Sequence, residues 1–290
     1  MRAISVTDYS TAEQLKVSEI KNPIRKPAEL LVKTHAVGVN FIDTYQRQGL
    51  PGYQKPLPLI LGLEGAGEVI GADEDSGFSV GDIVAWPFHP GSYAEKVVIP
   101  ESKAVLVPKG LDPKTAAAVM LQGLTAHYLC RSTFPVAEDT VALVHAGNGG
   151  VGRLLVQMIK NLGGKVIATA STAEKRQSLV DLGVDYAIEY QDFDSQVRKL
   201  TDNVGVDVVF DGVGRDTYMQ SLGSLKKRGL LALFGASSGP VPGFDLQLLN
   251  SMGSLFITRP TLADYIATRD ELESRTEELF QEILDGRLKV

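Results

Sequence analysis

Twelve consecutive residues constrain this chain more than any others. Val141-Ala-Leu-Val144 is an apolar run, and it leads into His145-Ala-Gly147-Asn-Gly149-Gly150-Val151-Gly152. The spacing Gly147-x-Gly149-x-x-Gly152 lets the backbone turn tightly, lets a pyrophosphate approach the main chain, and lets a following helix pack on the strand. Phosphate oxygens would then meet the N–H groups and positive end of that helix. Glycine turns also occur where nothing binds, so the flanking sequence decides. Leu154, Leu155, Met158, Ile159 and Leu162 recur at helical spacing, Gly163-Gly164 ends the helix, and Lys165–Ala170 reads as a second buried strand. Strand, glycine turn, helix and strand form one βαβ unit built to hold a dinucleotide.

The end of the second strand bears on which dinucleotide. NAD sites usually place an acid there, where it accepts from the ribose hydroxyls and repels a 2′-phosphate. Here the residues are Ser171-Thr-Ala-Glu174-Lys175-Arg176. Ser171 as a donor and Lys175 as a point charge suit a phosphate, so NADPH is expected over NADH. Glu174 weighs against that, and a solvated helix face is the plainer account of Lys175 and Arg176.

Composition sets the outer limits. The chain has 290 residues, 44% of them hydrophobic, with mean hydropathy near zero, which is enough for two globular domains. It has no apolar run of membrane-spanning length and no secretory signal at Met1–Tyr9, so a cytoplasmic location without membrane partners is expected. A net charge of −6 argues against general nucleic-acid binding. The one cysteine, Cys130, reads as a small buried hydrophobe. No Cys-x-x-Cys pair is present, and the four histidines, His35, His89, His127 and His145, are scattered, so no metal site is expected. His145 lies just before the glycine turn.

Up to about residue 122 the chain is rich in short strands: Leu30–Val37, Gly65–Ile70, Asp82–Trp86 and Ala94–Ile99. Gly and Pro punctuate them, as in a small β-barrel. From Pro113 helical patterns take over. Strands at Tyr186–Tyr190, Val206–Asp211, Leu230–Phe234 and Ser254–Thr258 then alternate with helices near 194–200 and 216–225, implying a doubly wound parallel sheet. Thr268-x-x-Glu271 is a capping box for a helix carrying Leu272, Leu279, Phe280 and Ile283, ended by Gly286, and Arg287–Val290 reads as the start of a strand. The expected domains are 1–122, a dinucleotide-binding domain at 123–260, and a helical segment at 261–290.

Several runs together resemble one family. Val39-Asn40-Phe-Ile-Asp43-Thr-Tyr45, Gln122-Gly-Leu-Thr125, the glycine turn, Asp211-Gly212-Val-Gly-Arg-Asp216, Phe234-Gly-Ala-Ser237-Ser238-Gly and Gly253–Pro260 are similar to the medium-chain dehydrogenase/reductase superfamily. Within it they resemble the zinc-free, zeta-crystallin-like quinone oxidoreductases. Leu63 stands in Gly62-Leu-Glu64-Gly65 where the zinc branch has a histidine. The resemblance implies an α/β fold, a Rossmann sheet preceded by a GroES-like β-barrel. It implies that Gly147, Gly149, Gly150, Val151 and Gly152 line the pyrophosphate, while Ser171, Lys175 and Tyr190 flank the 2′-phosphate. Asn40 and Thr125 border the nicotinamide, and Gly212, Phe234, Ser237, Ser238, Thr258 and Arg259 close around it. Asp43, Tyr45 and Tyr53 belong to the substrate cleft.

The activity implied is NADPH-dependent, metal-free hydride transfer to a quinone, with Asn40 and Tyr45 orienting the acceptor. Reduction of an enone or enal is the alternative, and an NADPH-binding protein with little catalysis is a third reading. The resemblance also implies a homodimer paired near Leu230–Phe234 and Ser254–Thr258. Strands that return to the N-terminal domain in the family are expected to be missing after Val290, leaving the chain less stable and slower than one extended by such a tail.

Overall fold

The computed structural model describes residues 1–9 and 15–290. They divide into two units: 1–124 with 266–284 and Val290, and 125–265 with 285–289.

The first unit is antiparallel. Strands β1 (Arg2–Val6), β2 (Lys16–Glu19), β3 (Glu29–Val37), β4 (Leu59–Ile60), β5 (Gly65–Gly71), β6 (Ile83–Trp86), β7 (Lys96–Pro100) and β8 (Val105–Leu106) form sheets ordered β2-β1-β4 and β7-β3-β5-β6-β8. Side chains alternate across a strand, so Leu30 and Val32 of β3 point inward together and join Val69, Val84, Trp86 and Ile99 in a dry core. Gly67 lets β3 and β5 approach, since a Cβ there would overlap the Lys33 carbonyl oxygen. Helix α1 (Phe41–Gln48) follows β3 and stops at Gly49, whose φ of 62° suits glycine. Helix α2 (Pro113–Val119) opens with proline at its first position. Helix α3 (Gln122–Tyr128) runs across the division at 124/125 and continues into a π-helical turn at Leu129–Thr133.

The second unit is a six-stranded parallel sheet ordered β11-β10-β9-β12-β13-β14, made of β9 (Val141–Val144), β10 (Lys165–Thr169), β11 (Tyr186–Ile188), β12 (Val206–Asp211), β13 (Leu225–Leu233) and β14 (Phe256–Thr258). Between strands run α4 (Gly150–Asn161), α5 (Ala173–Asp181), α6 (Phe193–Leu200), α7 (Tyr218–Ser224) and α8 (Gln247–Ser251), with α9 (Leu262–Tyr265) after β14. The stripe on α4 is buried as its spacing requires, through Leu154, Leu155, Met158 and Ile159.

Two sequence expectations change here. Leu230–Leu233 lies inside the sheet between β12 and β14, so of the two segments expected at a pairing edge β14 alone has a free side. Arg287–Val290 forms no strand: the Gln157 side chain donates to Lys289 O and accepts from Lys289 N, both at 2.9 Å, and Asn161 donates to Arg287 O. Side chains on α4 therefore take the backbone groups that a sheet partner would have taken.

Helix α10 (Arg269–Leu284) belongs to the first unit. Its capping box forms, with Glu271 N donating to Thr268 Oγ1 and Thr268 N to Glu271 Oε2, each at 3.2 Å. Leu272, Leu279 and Phe280 are buried, and the Arg269 guanidinium donates to the carbonyls of Glu101 and Ala104 while lying over the Phe78 ring. A groove of about 580 Å³ between β8 and α10, lined by Phe78, Leu106, Phe280 and Leu284 among others, shares no residue with the site residues expected from sequence.

Candidate dinucleotide and substrate sites

In the second unit the order of strands fixes where a ligand can enter. The chain winds outward from β9 to β11 and then, from β12, to β14 on the other side. Loops leaving the carboxyl ends of β9 and β12 therefore diverge and open a crevice between them. The expected cofactor residues fall on this one edge. Gly147–Gly152 follow β9, Ser171 and Lys175 follow β10, and Tyr190 follows β11. Gly212 follows β12, Phe234, Ser237 and Ser238 follow β13, and Thr258 and Arg259 end β14.

The glycine turn is built by exclusion of side chains. Ala146 takes a φ of 49°, and Gly149 N donates back to Ala146 O at 2.8 Å. A Cβ on Gly152 would overlap that carbonyl and stand 2.8 Å from Gly147 Cα, and one on Gly147 would press Ala168 Cβ at 2.9 Å. The first turn of α4 leaves the N–H groups of Gly150, Val151 and Gly152 without helical partners, a ready cradle for an anion. Arg153 holds the tip of the turn, donating to Asn148 Oδ1 at 2.6 Å and Ser178 Oγ at 3.0 Å.

At the end of β10, Thr172 caps α5 by accepting from Lys175 N at 3.3 Å. The Lys175 side chain is left exposed, whereas Arg176 is turned inward to the Ala170 carbonyl at 3.2 Å. The Tyr190 hydroxyl accepts from Ala146 N at 2.9 Å, and burial raises its pKa. Ser238 Oγ donates to Val213 O and accepts from Asp216 N, joining two loops of the edge. Phe234 is half-buried and closes against Gly212, and Arg259 donates to Leu233 O at 2.9 Å. Thr125 is buried in this unit. These residues, with no acid at the end of β10, fit a dinucleotide bearing an extra phosphate.

In the first unit the sequence-derived residues gather around the start of α1. Asn40 is its N-cap and Asp43 its third residue, so Asn40 N donates to Asp43 Oδ2 at 2.8 Å. The Tyr45 and Tyr53 rings meet at 5.1 Å between centroids.

Three further residues complete the cluster. Tyr93 Oη donates to Asp43 Oδ2 at 2.7 Å, and Gln122 Nε2 donates to Asn40 Oδ1 at 3.0 Å. Glu64 has no exposed surface, and it accepts from Asn40 Nδ2 at 2.6 Å and from Leu121 N. Burial pushes its carboxyl up to about 7, against the lowering effect of those two donors, and Asp43 adds to the rise. Asp43 is raised too, chiefly by burial, and its Oδ1 is buried with no partner among the described residues. Burial and the Asp43 contact push the Tyr93 phenol upward.

Sequence reasoning passed over Glu64, although a lone acid inside the run Leu59–Gly67 was a signal. Tyr93 carried no local signal. Gln122 stood in a matched run without a role.

The alcohol dehydrogenase GroES-like domain model matches residues 26–109, and the zinc-binding dehydrogenase model matches residues 150–282. The quinone oxidoreductase of Pseudomonas aeruginosa is 42% identical over 295 residues, covering 100% of this chain and 90% of its own. A 2-haloacrylate reductase of a Burkholderia species is 38% identical over 283 residues, covering 93% of this chain and 84% of its own. The crystal structure of Escherichia coli quinone oxidoreductase complexed with NADPH superposes with a TM-score of 0.96 at 40% identity, covering 100% of this chain and 90% of that one. Leu63 and Cys130 are buried, the Cys130 thiol pointing to His127 O at 3.6 Å, and no group of three or more His, Cys, Asp or Glu among the described residues is placed to hold a metal.

Proposed function

Since the chain belongs to the quinone oxidoreductases of the medium-chain dehydrogenase/reductase superfamily, we propose that it reduces quinones with NADPH by metal-free hydride transfer. The observation that carries this reading is the glycine cradle at the start of α4, joined on the same sheet edge by an exposed Lys175 and by no acid at the end of β10. NADPH, when bound, supplies the hydride. Gly150, Val151 and Gly152 offer backbone N–H groups to its pyrophosphate, while Ser171, Lys175 and Tyr190 flank the 2′-phosphate. Gly212, Phe234, Ser237, Ser238, Thr258 and Arg259 border the crevice, and Asn40 and Thr125 serve the nicotinamide side.

A quinone needs no metal, because incoming charge delocalises over its ring and oxygens. The chain must orient the acceptor, exclude water and offer a donor to the developing oxyanion. The Asn40 amide is held for this. Its oxygen is taken by Gln122 and one N–H by Glu64, which leaves the second N–H to donate. Asp43 and Tyr45 shape the cleft with Tyr53, and solvent completes protonation.

The 2-haloacrylate reductase among the relatives supports a second reading, reduction of an activated C=C bond in the same cleft. Titration of the purified chain with NADPH and NADH, followed by oxidation of the bound cofactor with matched quinones and enones, separates the two. Turnover with enones and none with quinones would sink the first reading, and tighter NADH binding would sink the cofactor assignment. We place the protein in the cytoplasm, in keeping with the absence among the described residues of any helix long and apolar enough to cross a membrane. We also propose a homodimer joined through the free side of β14.

A further inference from the structure

Beneath the glycine turn, wholly inside the second unit, runs an unbroken line of buried polar groups that the hydride-transfer chemistry does not use. His145, Thr169, Ser221 and Asp211 are each at most 1% exposed. The His145 Nδ1 lies 3.0 Å from Thr169 Oγ1, and its Nε2 lies 3.0 Å from Ser221 Oγ. Ser221 Oγ donates to Asp211 Oδ2 at 2.9 Å, and Thr169 Oγ1 accepts from Ala146 N at 3.3 Å.

Hydrogen counting gives this line one direction. A hydroxyl has a single hydrogen, and Ser221 spends it on Asp211, so Ser221 must accept from His145. His145 Nε2 therefore carries the imidazole hydrogen, Nδ1 accepts, and Thr169 donates to it. The sequence reads Ala146 N–H to Thr169 Oγ1–H to His145 Nδ1, then Nε2–H to Ser221 Oγ–H to the Asp211 carboxylate.

Both ends are backbone of crevice loops. At one end Ala146 N–H, in its left-handed turn, is shared between Thr169 and the Tyr190 hydroxyl. At the other, Asp211 Oδ1 accepts from Val213 N at 2.8 Å and Gly214 N at 3.0 Å, and Oδ2 also accepts from Thr217 Oγ1 at 2.8 Å. The main-chain link between β9 and β12 ends with His145 N donating to Phe210 O at 3.0 Å. Past that point the two loops part, and among the described residues the side-chain line connects them. Filling this space did not require polarity: Phe193 already packs edge-on against the His145 ring at 4.6 Å, and an apolar ring would suit it. Burying four polar side chains costs stability unless each is satisfied, and here each is.

We propose that His145 is a positioning residue for the dinucleotide. As its neutral Nε2–H tautomer it ties the Ala146 turn to the Gly212–Gly214 loop and sets the width of the crevice between them. This rests on the reading that the chain binds NADPH, and it adds a residue that does not touch the cofactor.

The test breaks the line on either side of His145. Thr169→Val and Ser221→Ala remove one hydroxyl each at nearly constant volume. NADPH Kd and the fluorescence of bound NADPH are measured for both, for the double variant and for Ser221→Thr, with thermal unfolding in parallel. Each single variant is expected to weaken NADPH about five- to tenfold, the double variant to be no weaker than the worse single within about twofold, and Ser221→Thr to restore binding. Nitrogen-15 NMR of the cofactor-free chain should show the His145 ring as the Nε2–H tautomer. Unchanged NADPH affinity and fluorescence in folded variants, losses that multiply in the double variant, or an Nδ1–H tautomer would each overturn the proposal. Wild-type chain that binds no NADPH, yet shows the Nε2–H tautomer, would instead overturn the functional reading on which it rests.

Discussion

Glu64 carries a charge problem that folding creates. Its carboxyl titrates near the ordinary 4.5 when unfolded and at about 7 when folded, because burial disfavours the ion. Between those values the native state keeps a proton that the unfolded state has released, so stability is full below about pH 4.5 and falls as pH rises through 7. The whole effect is about 3 kcal/mol. Urea unfolding of wild type and Glu64→Gln at pH 5 and pH 8 should show it: the advantage of wild type over the variant shrinks by most of that amount at the higher pH. A pH-independent difference would mean that Glu64 keeps an ordinary titration. Lys175→Ala tests the cofactor side. It should weaken NADPH about tenfold, the equivalent of about 1.4 kcal/mol, and leave NADH almost unchanged in fluorescence titrations. Lys175 was legible in the sequence because its place, just past the second strand of a βαβ unit, is fixed by local spacing. The Glu64 contacts were not, since they join residues 24 and 57 positions apart.

At the scale of elements, the glycine turn and the helix it opens act as one piece. Gly152→Ala would drive a methyl into the Ala146 carbonyl, so the turn must open. NADPH affinity should fall at least a hundredfold, with a destabilisation of about 1–3 kcal/mol measured by urea unfolding. Helix α10 offers the contrasting case of a packing role. Leu279 is fully buried, and a Cβ on Gly123 would stand 2.8 Å from its Cδ2, so the helix lies close against α3. Leu279→Ala should cost about 2–5 kcal/mol in the same measurement while leaving NADPH affinity within about twofold. Periodicity made α4 and α10 readable from sequence, because their apolar stripes and caps are local. It misled at Arg287–Val290, where alternating apolar residues suggested a strand and the side chains of Gln157 and Asn161 claim the backbone instead. Whether Leu230–Leu233 is an edge or an interior strand depends on where β14 docks, and nothing within the segment encodes that.

For the molecule as a whole, β14 is one of the two margins of the parallel sheet, and Phe256 on it is 60% exposed. If the proposed dimer forms there, Phe256→Asp should shift the chain to monomer in sedimentation velocity at micromolar concentration, with NADPH binding retained. An unchanged sedimentation coefficient would move the interface elsewhere. The change from strand-rich to alternating sequence near residue 122 suggested two globular parts and a separate helical segment at 261–290, whereas α10 belongs to the first unit: its stripe says that it packs, and not on what. That membership has a consequence for synthesis on the ribosome. The first unit joins residues 1–124 with 266–284, and all of the second unit except 285–289 is made before that helix emerges. The N-terminal segment must therefore wait, its α10-facing surface uncovered, through the translation of roughly 140 residues, at least several seconds at about 5–20 residues per second. Closing that long-range contact is expected to be the late, slow step of folding, and the nascent N-terminal segment the stretch that chaperones and proteases meet first.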